Sequence, residues 1–527
     1  MPNLQNQNFI GPHFHLLLKI LLIACCFAQS QPLKASQPKL GDLFYKIPKK
    51  MRQSIRFVRV SDGHIIFEHK PNNMVTPASV TKIITAAAAL HYFGHDFQFE
   101  TKIYHTGKRK NGTILGDLYI RGSGDPMLTN EKLWQLAADI RHLGIREIKG
   151  NLIIDNSLFD TEYRDSSRIQ GRKISSHAYD SPITPLGVSF NTFAIAIAPG
   201  QTIGSKAYVS IDPYPFDSLE IGNKLITRNG NSKPSIRVSR VSLKNKQSSL
   251  FLSGKIPVNH SIKKVYRSVS NPLWASSQQI RSFFKNEGIS ISGTNQEGNT
   301  PADAVELYTL SGYPMHRIVN GLNKYSNNFI ADMLTKALGS WFPKGKIIPL
   351  PPTWKPTPEN QNDKNFRKSK PAPKSLGTMA GGVETINHFL KEVVKTKQPW
   401  VIKNGSGLSP DNQFSASFIT DILLWAANDM NVFPEFISSL PSSGKDGTLR
   451  KRFSKRETHK FRGLIRAKTG TLSQPFSVSS IAGYLRHETH GLVAFAILEN
   501  GLSGRAQPSI LDIRERQDFA LAWFHKK

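Results

Sequence analysis

Cysteine is scarce in this chain. Two are found among 527 residues, Cys25 and Cys26, and both lie near the amino terminus. If the segment that carries them is removed after Ala28, the mature protein has no cysteine at all. The scarcity excludes a disulfide framework and any metal site built from cysteine thiolates. No metal or other cofactor is expected.

Acidic residues are also few. The chain has 38 Asp and Glu against 69 Lys and Arg, a formal net charge of +31. Such an excess favours an anionic partner, which can be a nucleic acid, a lipid surface or an anionic wall polymer. Charge by itself does not choose among these. The rest of the composition is globular, with 39% hydrophobic residues, and the length predicts two or three domains.

The apolar run at the amino terminus, Ile20–Ala28, is far too short to cross a bilayer as a permanent helix. It follows Lys19 and ends in small residues, which predicts a signal peptide over residues 1–28. A buried core segment is one alternative. A lipoprotein-type cleavage box at Leu22–Cys25, with lipid anchoring at Cys25, is another. Export argues against a nucleic-acid enzyme and predicts a periplasmic or cell-envelope location, with electrostatic association to an anionic envelope surface.

Local patterns then divide the chain. Residues 54–69 predict a β-hairpin around the turn Ser61–Gly63. Thr76 and Pro77 are typical of a helix start, with Thr76 as N-cap, and the helix that follows is apolar except in its first turn. From about 93 to 310 the chain has mainly strand and turn patterns. The later patterns predict helices at 315–339 and 379–395 and strands at 462–472, 479–487 and 491–499.

Residues 343–375 differ from everything around them, because they contain eight prolines, seven lysines and one arginine. This composition does not form a packed core and predicts a surface loop. A solvated insertion is the simpler interpretation. Contact with a wall polymer or another partner is the alternative.

The first turn of the apolar helix carries Ser79 and Lys82, which the spacing places on one face. A buried lysine loses solvation, its pKa falls, and as a neutral amine it can accept the serine proton. The pattern is weak alone, and four other Ser-x-x-Lys pairs begin at Ser36, Ser261, Ser282 and Ser442. Ser79 is the one of these that opens an apolar helix.

Two further motifs follow in order. Ser326-Asn327-Asn328 precedes a helical run, and Lys468-Thr469-Gly470 lies on a predicted strand. In isolation the first is explained as a helix cap and the second as a basic strand end. Together, Ser-x-x-Lys, Ser-x-Asn and Lys-Thr-Gly are the motif set of penicillin-binding proteins and serine β-lactamases.

The chain resembles a class C low-molecular-mass penicillin-binding protein, a D-alanyl-D-alanine carboxypeptidase/endopeptidase, from about residue 42 to 525. Further matching segments are 122–126, 153–159, 404–409 and 446–450. The resemblance implies an α/β (α+β) transpeptidase-like domain of the penicillin-binding-protein/β-lactamase type, split by two nested, mainly β inserted domains. The implied ranges are 29–92 and 310–527 for the catalytic domain, 93–160 and 265–309 for the first insertion, and 161–264 for the second.

The same resemblance implies the site. Ser79 is the acylating nucleophile, Lys82 its base, and Ser326 relays a proton to the departing D-alanine. Asn328 holds the substrate amide, and Lys468 and Thr469 hold the terminal carboxylate. The backbone N–H groups of Ser79 and Thr471 form the oxyanion hole. The expected partners are peptidoglycan peptides, with β-lactam antibiotics as covalent inhibitors.

Two positions concern the side chain of the stem peptide. Asp155 occupies the place where relatives contact a free ammonium group, although a turn residue explains it equally well. Relatives often have an arginine after Gly-Ser-Gly-Leu-Ser, where this chain has Pro410. That departure leaves the carboxylate end of the side-chain pocket without its expected residue.

Two other functions fit parts of the pattern. A serine β-lactamase-like hydrolase shares the three motifs, but more than 200 residues separate Ser79 from Ser326 here. A non-catalytic peptidoglycan-binding envelope protein would have lost a motif residue, and all are present. Covalent labelling by a fluorescent penicillin distinguishes these functions.

Overall fold

The computed structural model describes residues 51–168, 175–216, 219–230, 233–242, 248–346 and 375–525. The predicted signal peptide at 1–28, lipid anchoring at Cys25 and most of the 343–375 loop lie outside these residues and stay predictions.

The described residues form twenty strands of two to eleven residues. The strands are β1 Met51–Arg59, β2 Ile65–His69, β3 Gln98–His105, β4 Arg109–Lys110, β5 Thr113–Ile114, β6 Leu118–Arg121, β7 Glu147–Ile148, β8 Leu152–Asp155, β9 Thr192–Ala198, β10 Tyr208–Asp212, β11 Glu220–Arg228, β12 Ser235–Ser242, β13 Ser248–Pro257, β14 Lys263–Ser268, β15 Ser290–Ile291, β16 Asn295–Glu297, β17 Val305–Pro314, β18 Ile465–Leu472, β19 Val478–His487 and β20 Gly491–Gly501.

The α-helices lie mostly before β3 and after β17. They are α1 Lys82–Phe93, α2 Asn130–His142, α3 Pro272–Asn286, α4 Met315–Lys324, α5 Asn328–Trp341, α6 Met379–His388, α7 Ala416–Ala427, α8 Phe433–Ser439 and α9 Ile510–His525. A π-helical turn, Phe389–Val394, extends α6. Among the described residues, no helix is long and apolar enough to cross a membrane.

One antiparallel sheet joins the two ends of the described chain, with strand order β18-β19-β20-β1-β2. The predicted hairpin is confirmed as β1 and β2, in which Phe57 faces Phe67. Strands β19 and β20 are buried along most of their length, because helices cover the sheet. The predicted strands at 462–472, 479–487 and 491–499 correspond to β18, β19 and β20.

The largest core lies between this sheet and the helices that pack on it. Helix α1 is buried at every position except His91, as its apolar sequence predicts. Helices α4, α5 and α7 contribute to the same core, together with Ala482 and Ala494 of the sheet. This core therefore fixes the start of α1 and the start of α5 relative to the strand β18.

The middle of the chain builds two further cores. One collects residues 103–154 with 186–188 and 280–310, and the other collects residues 193–275. This order agrees with the predicted nesting, while the exact domain boundaries stay a prediction. The sequence patterns missed α3, although Asn271 caps it through a hydrogen bond from Trp274 N and Pro272 opens it.

Both ends of the predicted 343–375 loop are packed. Residues Pro343–Gly345 form a short helical turn, and Gly345 is buried near His388 and Tyr92. At the other end, the Ser375 hydroxyl donates to the Gly339 carbonyl. Residues 347–374 lie outside the described residues, and the prediction of a surface loop there stays a prediction.

Candidate active site

The nucleophile candidate Ser79 lies in a 3₁₀ turn, Ala78–Thr81, which runs into α1. Thr76 was predicted to cap this helix, and that prediction is wrong. Its hydroxyl donates to the Pro410 carbonyl instead, and Pro77 directly precedes the turn. Ala78 has a φ of +49°, a strained conformation for a residue with a side chain and one that concentrates at functional sites.

Lys82 is fully buried beside the nucleophile. Its Nζ lies 2.9 Å from Ser79 Oγ and 2.7 Å from Asn328 Oδ1, and it also contacts the Ser406 carbonyl oxygen. Burial lowers the pKa of Lys82 to about 7. A neutral amine has two N–H bonds and one lone pair. Asn328 Oδ1 and the Ser406 carbonyl oxygen accept hydrogen bonds from these two N–H groups. The lone pair of the amine is therefore left to face Ser79 Oγ.

A buried ion pair stands behind Lys82. Asp332, one turn after Asn328 on α5, is completely buried, and Arg168 Nη2 lies 2.8 Å from its carboxylate. Burial raises the pKa of Asp332, and Arg168 opposes that rise. The two partners act on Lys82 in opposite directions, since Asp332 raises the lysine pKa and Arg168 lowers it.

Ser326 occupies the turn between α4 and α5, with a φ of +54°. The next residue, Asn327, caps α5 by accepting a hydrogen bond from Ile330 N. The helix-cap interpretation of this motif is therefore correct, and it accounts for the position of its neighbours. The cap places Ser326 at the end of one helix and Asn328 at the start of the next, both directed at the region around Ser79 and Lys82.

Strand β18 passes close to the nucleophile because Gly470 has no side chain. A Cβ at this position would lie 2.3 Å from Pro77 O and 3.1 Å from Ser79 N. Both approaches are closer than ordinary packing allows. Steric exclusion of a side chain thus explains why the Lys-Thr-Gly motif has glycine at this position. The close approach of the strand brings Lys468 and Thr469 into the site.

Lys468 is fully buried and faces Ser326. Its Nζ lies 2.8 Å from Ser326 Oγ and 2.6 Å from Thr469 O. Burial lowers its pKa well below the usual range, and the nearby Lys82 adds to this effect. Lys468 was expected to hold the substrate carboxylate. Lys468 has no exposed surface and is not among the residues that line the cavities described below, whereas its neighbour Thr469 is partly exposed and lines one of them.

Thr469 and Thr471 share one face of β18, two residues apart. The Thr469 hydroxyl donates to the Thr448 hydroxyl over 2.8 Å. The Thr471 hydroxyl accepts a hydrogen bond of 2.7 Å from Arg514 Nη2, which comes from α9. Neither Thr448 nor Arg514 was among the predicted site residues.

Two cavities meet at Ser79, Ser326 and Thr471. The Asn328 cavity, about 590 Å³, is also lined by Asn328, Tyr179, Asp180, Arg164 and Arg168. The Thr469 cavity, about 190 Å³, is also lined by Thr469, Thr448, Arg452 and Arg514. An outer cavity of about 1080 Å³ lies between residues 447–458 and α9, and Thr448, Arg452 and Arg514 belong to both it and the Thr469 cavity. The predicted catalytic residues thus lie where two differently lined spaces join.

A family model described as the D-Ala-D-Ala carboxypeptidase 3 (S13) family matches residues 42–348 and 363–517. The chain belongs to this family. The predicted enzyme class, a serine-type D-alanyl-D-alanine carboxypeptidase, is confirmed.

Curated relatives agree with this assignment. The chain is 26% identical over 469 residues to a D-alanyl-D-alanine carboxypeptidase of an Actinomadura species, covering 86% of this chain and 79% of the relative. It is 24% identical over 470 residues to the D-alanyl-D-alanine carboxypeptidase DacB of Haemophilus influenzae, covering 88% of each.

Solved structures confirm the predicted fold class. Penicillin binding protein 4 (dacB) from Haemophilus influenzae matches with a TM-score of 0.69 at 22% identity, over 92% of this chain and 99% of the other. A second structure of that protein, described as complexed with a novel beta-lactam, matches with a TM-score of 0.64.

Within this S13 fold, Asp155 does not fit its expected role. It ends β8, is 2% exposed, and is not among the residues lining the Asn328 cavity. Its two carboxylate oxygens accept hydrogen bonds from Ser157 and Thr300 through both backbone N–H and hydroxyl. These bonds lower its pKa against the effect of burial. Its position fits the alternative interpretation, a turn residue that ties β8 to the segment after β16.

Sequence reasoning missed the carboxylate that does line the Asn328 cavity, Asp180, and the guanidinium groups of Arg164 and Arg168 beside it. No local motif marks these residues, because they reach the site from an inserted segment far from Ser79 in the chain. Thr448 was easier to find, since it lies in the segment 446–450 that carries part of the family resemblance.

Proposed function

We propose that Ser79 cleaves the D-alanyl-D-alanine bond of peptidoglycan stem peptides through an acyl-enzyme. The observation that carries the proposal is the contact of 2.9 Å between Ser79 Oγ and the Nζ of a fully buried lysine, Lys82. A lysine whose pKa is about 7 is neutral in about half of the molecules at pH 7, and in that form it can act as a base.

Acylation begins when Lys82 Nζ accepts the hydroxyl proton of Ser79 and the Oγ attacks the carbonyl carbon of the penultimate D-alanine. The oxygen of that carbonyl becomes an oxyanion, which the backbone N–H groups of Ser79 and Thr471 stabilise. One such donor is typically worth on the order of 2.7–4 kcal/mol of transition-state stabilisation.

The C–N bond then breaks, and the terminal D-alanine leaves as an amine after taking a proton. Ser326 Oγ is the donor nearest to the departing nitrogen in this proposal, and Lys468 replaces the proton on Ser326 across 2.8 Å. Lys82 then gives up the proton that it took from Ser79 and Lys468 regains the proton that it delivered, so acylation leaves both lysines as they began. Water attacks the ester carbonyl with the neutral Lys82 as base, and Lys82 returns this proton to Ser79 Oγ as the ester C–O bond breaks. Free Ser79 and the shortened peptide are released.

In this proposal each of the two cavities binds a different part of the substrate. Asn328 lies in the larger cavity, which therefore receives the acyl side and its stem-peptide side chain, with Asp180 as the available carboxylate. Thr469 lies in the smaller cavity, which receives the leaving residue. The outer cavity continues from this second space and gives room for a leaving group longer than one amino acid, which favours endopeptidase action on cross-links in addition to carboxypeptidase action.

The same site suits β-lactams, whose strained amide presents a carbonyl beside a carboxylate, and we expect them to acylate Ser79. We further propose that residues 1–28 direct export to the cell envelope. The surplus of positive charge, +31 over the whole chain, supports electrostatic association with an anionic envelope surface.

The test is covalent labelling by a fluorescent penicillin, with intact-protein and peptide mass spectrometry to locate the adduct. The wild-type protein should carry one adduct on Ser79 and should release D-alanine from a stem-peptide analogue. Ser79→Ala should lose both activities, by ~10⁴-fold or more, while its unfolding temperature stays unchanged. Labelling of Ser79→Ala at the wild-type rate contradicts the proposal.

A further inference from the structure

The burial of Lys468 leaves a question about the substrate that the three motifs do not answer. A D-alanyl-D-alanine terminus carries a carboxylate next to the scissile bond, and that charge needs a cation once water is excluded. The side-chain nitrogens of Lys82 and Lys468 are both buried and hydrogen-bonded to serines and backbone carbonyls inside the protein. A cation that contacts this carboxylate at the cavity surface must come from another part of the wall.

Two guanidinium groups line the Thr469 cavity, those of Arg452 and Arg514, and they differ in their partners. Arg452 is committed to Asp518, with Nε 2.8 and 2.9 Å from the two carboxylate oxygens and Nη2 2.7 Å from one of them. It also donates to the backbone carbonyl of Arg514. Arg452 therefore holds α9 against residues 447–458.

Arg514 does not form such an ion pair with a carboxylate among the described residues. Its side chain is half-buried, and it donates to the Thr471 hydroxyl. Burial lowers the pKa of its guanidinium and the neighbouring charge of Arg452 lowers it further, while Asp518 raises it. A bound anion would oppose the two lowering effects. The hydroxyls of Thr469, Thr471 and Thr448 line the same small space.

We infer that Arg514 is a specificity-determining residue that binds the α-carboxylate of the leaving residue, with Thr469 and Thr471 completing the site. The planar fork of a guanidinium pairs with a carboxylate through two parallel hydrogen bonds, which a lysine ammonium does not reproduce. Thr471 holds one Nη2 hydrogen and so orients the fork.

The inference rests on the proposed function and names its substrate class. The enzyme takes acyl donors whose leaving residue has a free α-carboxylate, whether that residue is a terminal D-alanine or the D-centre of a cross-linked amino acid. It discriminates against peptides in which this carboxylate is amidated. The α-carboxylate is recognised in the Thr469 cavity, on the leaving-group side of the scissile bond. This recognition is therefore independent of the stem-peptide side chain in the Asn328 cavity.

The experiment compares two stem-peptide analogues, one ending in D-alanyl-D-alanine and the other in D-alanyl-D-alaninamide. For Arg514→Gln, kcat/KM for the carboxylate substrate should fall about 10- to 150-fold, the range expected for a hydrogen bond to a charged group. For the amide substrate it should change less than about threefold. Arg514→Lys should recover part of the lost preference, because it restores the charge without the fork.

Arg505→Gln is the matched control, since it removes one exposed charge from the loop before the same helix and should leave both substrates unchanged. Unfolding temperatures of all variants identify any loss of packing, and Arg514→Lys keeps the test informative if the glutamine variant is unstable. Equal losses for both substrates in Arg514→Gln overturn the inference and make Arg514 a support for Thr471. A wild-type protein that hydrolyses neither peptide and takes no penicillin on Ser79 overturns the proposed function and the inference with it.

Discussion

Two serine–lysine pairs lie in this site, and they differ in how the chain brings their partners together. Ser79 and Lys82 are separated by one helical turn, and their reactive atoms lie 2.9 Å apart. Ser326 and Lys468 are 142 residues apart in sequence, and their atoms lie 2.8 Å apart. The two distances are nearly equal, so the pair formed by tertiary contact is hydrogen-bonded as closely as the pair formed within one helical turn.

The environments of the two lysines also differ. A buried ion pair, Arg168 with Asp332, adjusts the pKa of Lys82, and two oxygens beside Ser79 accept its N–H bonds. Lys468 has Ser326 and the carbonyl of Thr469 as partners, and burial together with the charge of a protonated Lys82 lowers its pKa. We therefore assign the first pair to attack and the second to proton delivery to the leaving group.

The largest effect should follow from removing Lys82. Lys82→Ala deletes the base and leaves Asn328 Oδ1 and the Ser406 carbonyl without their donor. Acylation by penicillin should fall by about 10⁴-fold, the upper range for loss of a general base. Stopped-flow measurement of labelling checks this, and a Lys82→Ala protein that acylates within tenfold of wild type contradicts the assignment of the pair.

A smaller effect should follow from breaking the second pair. Lys468→Ala and Ser326→Ala should each slow amide hydrolysis by about 10²-fold, because the leaving amine loses its proton source. A thiolester substrate should be hydrolysed nearly as well as by wild type, since a thiolate departs without a proton. The double variant should be no slower than either single one. Equal losses on amide and thiolester would show that Lys468 serves binding or attack instead.

The pH dependence sharpens the comparison further. Lys82 works as a neutral amine, so acylation should be slow at low pH and rise through about pH 7 to a plateau. Asp332→Asn removes the charge that raises the pKa of Lys82, and the midpoint should move to lower pH. Arg168→Gln removes the charge that lowers it, and the midpoint should move to higher pH. Rate constants for labelling between pH 5 and 9 decide this, and shifts in one common direction contradict the placement of the ion pair.

The smallest effect should come from deleting residues 347–374, which contain no member of either serine–lysine pair. Deleting 347–374 removes six basic residues and two acidic ones, Glu359 and Asp363. Hydrolysis of a small peptide should change less than about twofold, because both ends of the loop are anchored by the core. Activity on intact wall sacculi should fall at low salt and converge with wild type as salt rises, since exposed charges are screened beyond about 8 Å at physiological ionic strength. Crippled small-peptide turnover would make the loop part of the site, and undiminished sacculus activity at low salt would make it a spacer.

The secondary structure around the site was largely predictable because it depends on short-range rules. The hairpin of β1 and β2, the apolar helix α1 and the three late strands all follow from turn residues and hydrophobic patterns. The start of α1 was less predictable, since Thr76 had several possible partners and the fold gave it Pro410 in place of the helix.

The site itself was predictable in part. Ser79 with Lys82 is a local pair, and Ser326 with Asn328 is held by a helix cap, so their spacing in the sequence already contains their geometry. The side on which Lys468 would lie depended on how β18 is oriented against α1, and the burial of Asp155 depended on Thr300, 145 residues further along the chain.

The sequence by itself therefore determined the chemical groups, their order and the local pair proposed to attack, because helical spacing acts over three or four residues. The tertiary structure alone decided which cation lines the Thr469 cavity and which carboxylate lines the Asn328 cavity. Arg514 and Asp180 reach the site from distant segments, and only the packing of α9 and of the inserted segment against the catalytic core places their charges beside Ser79.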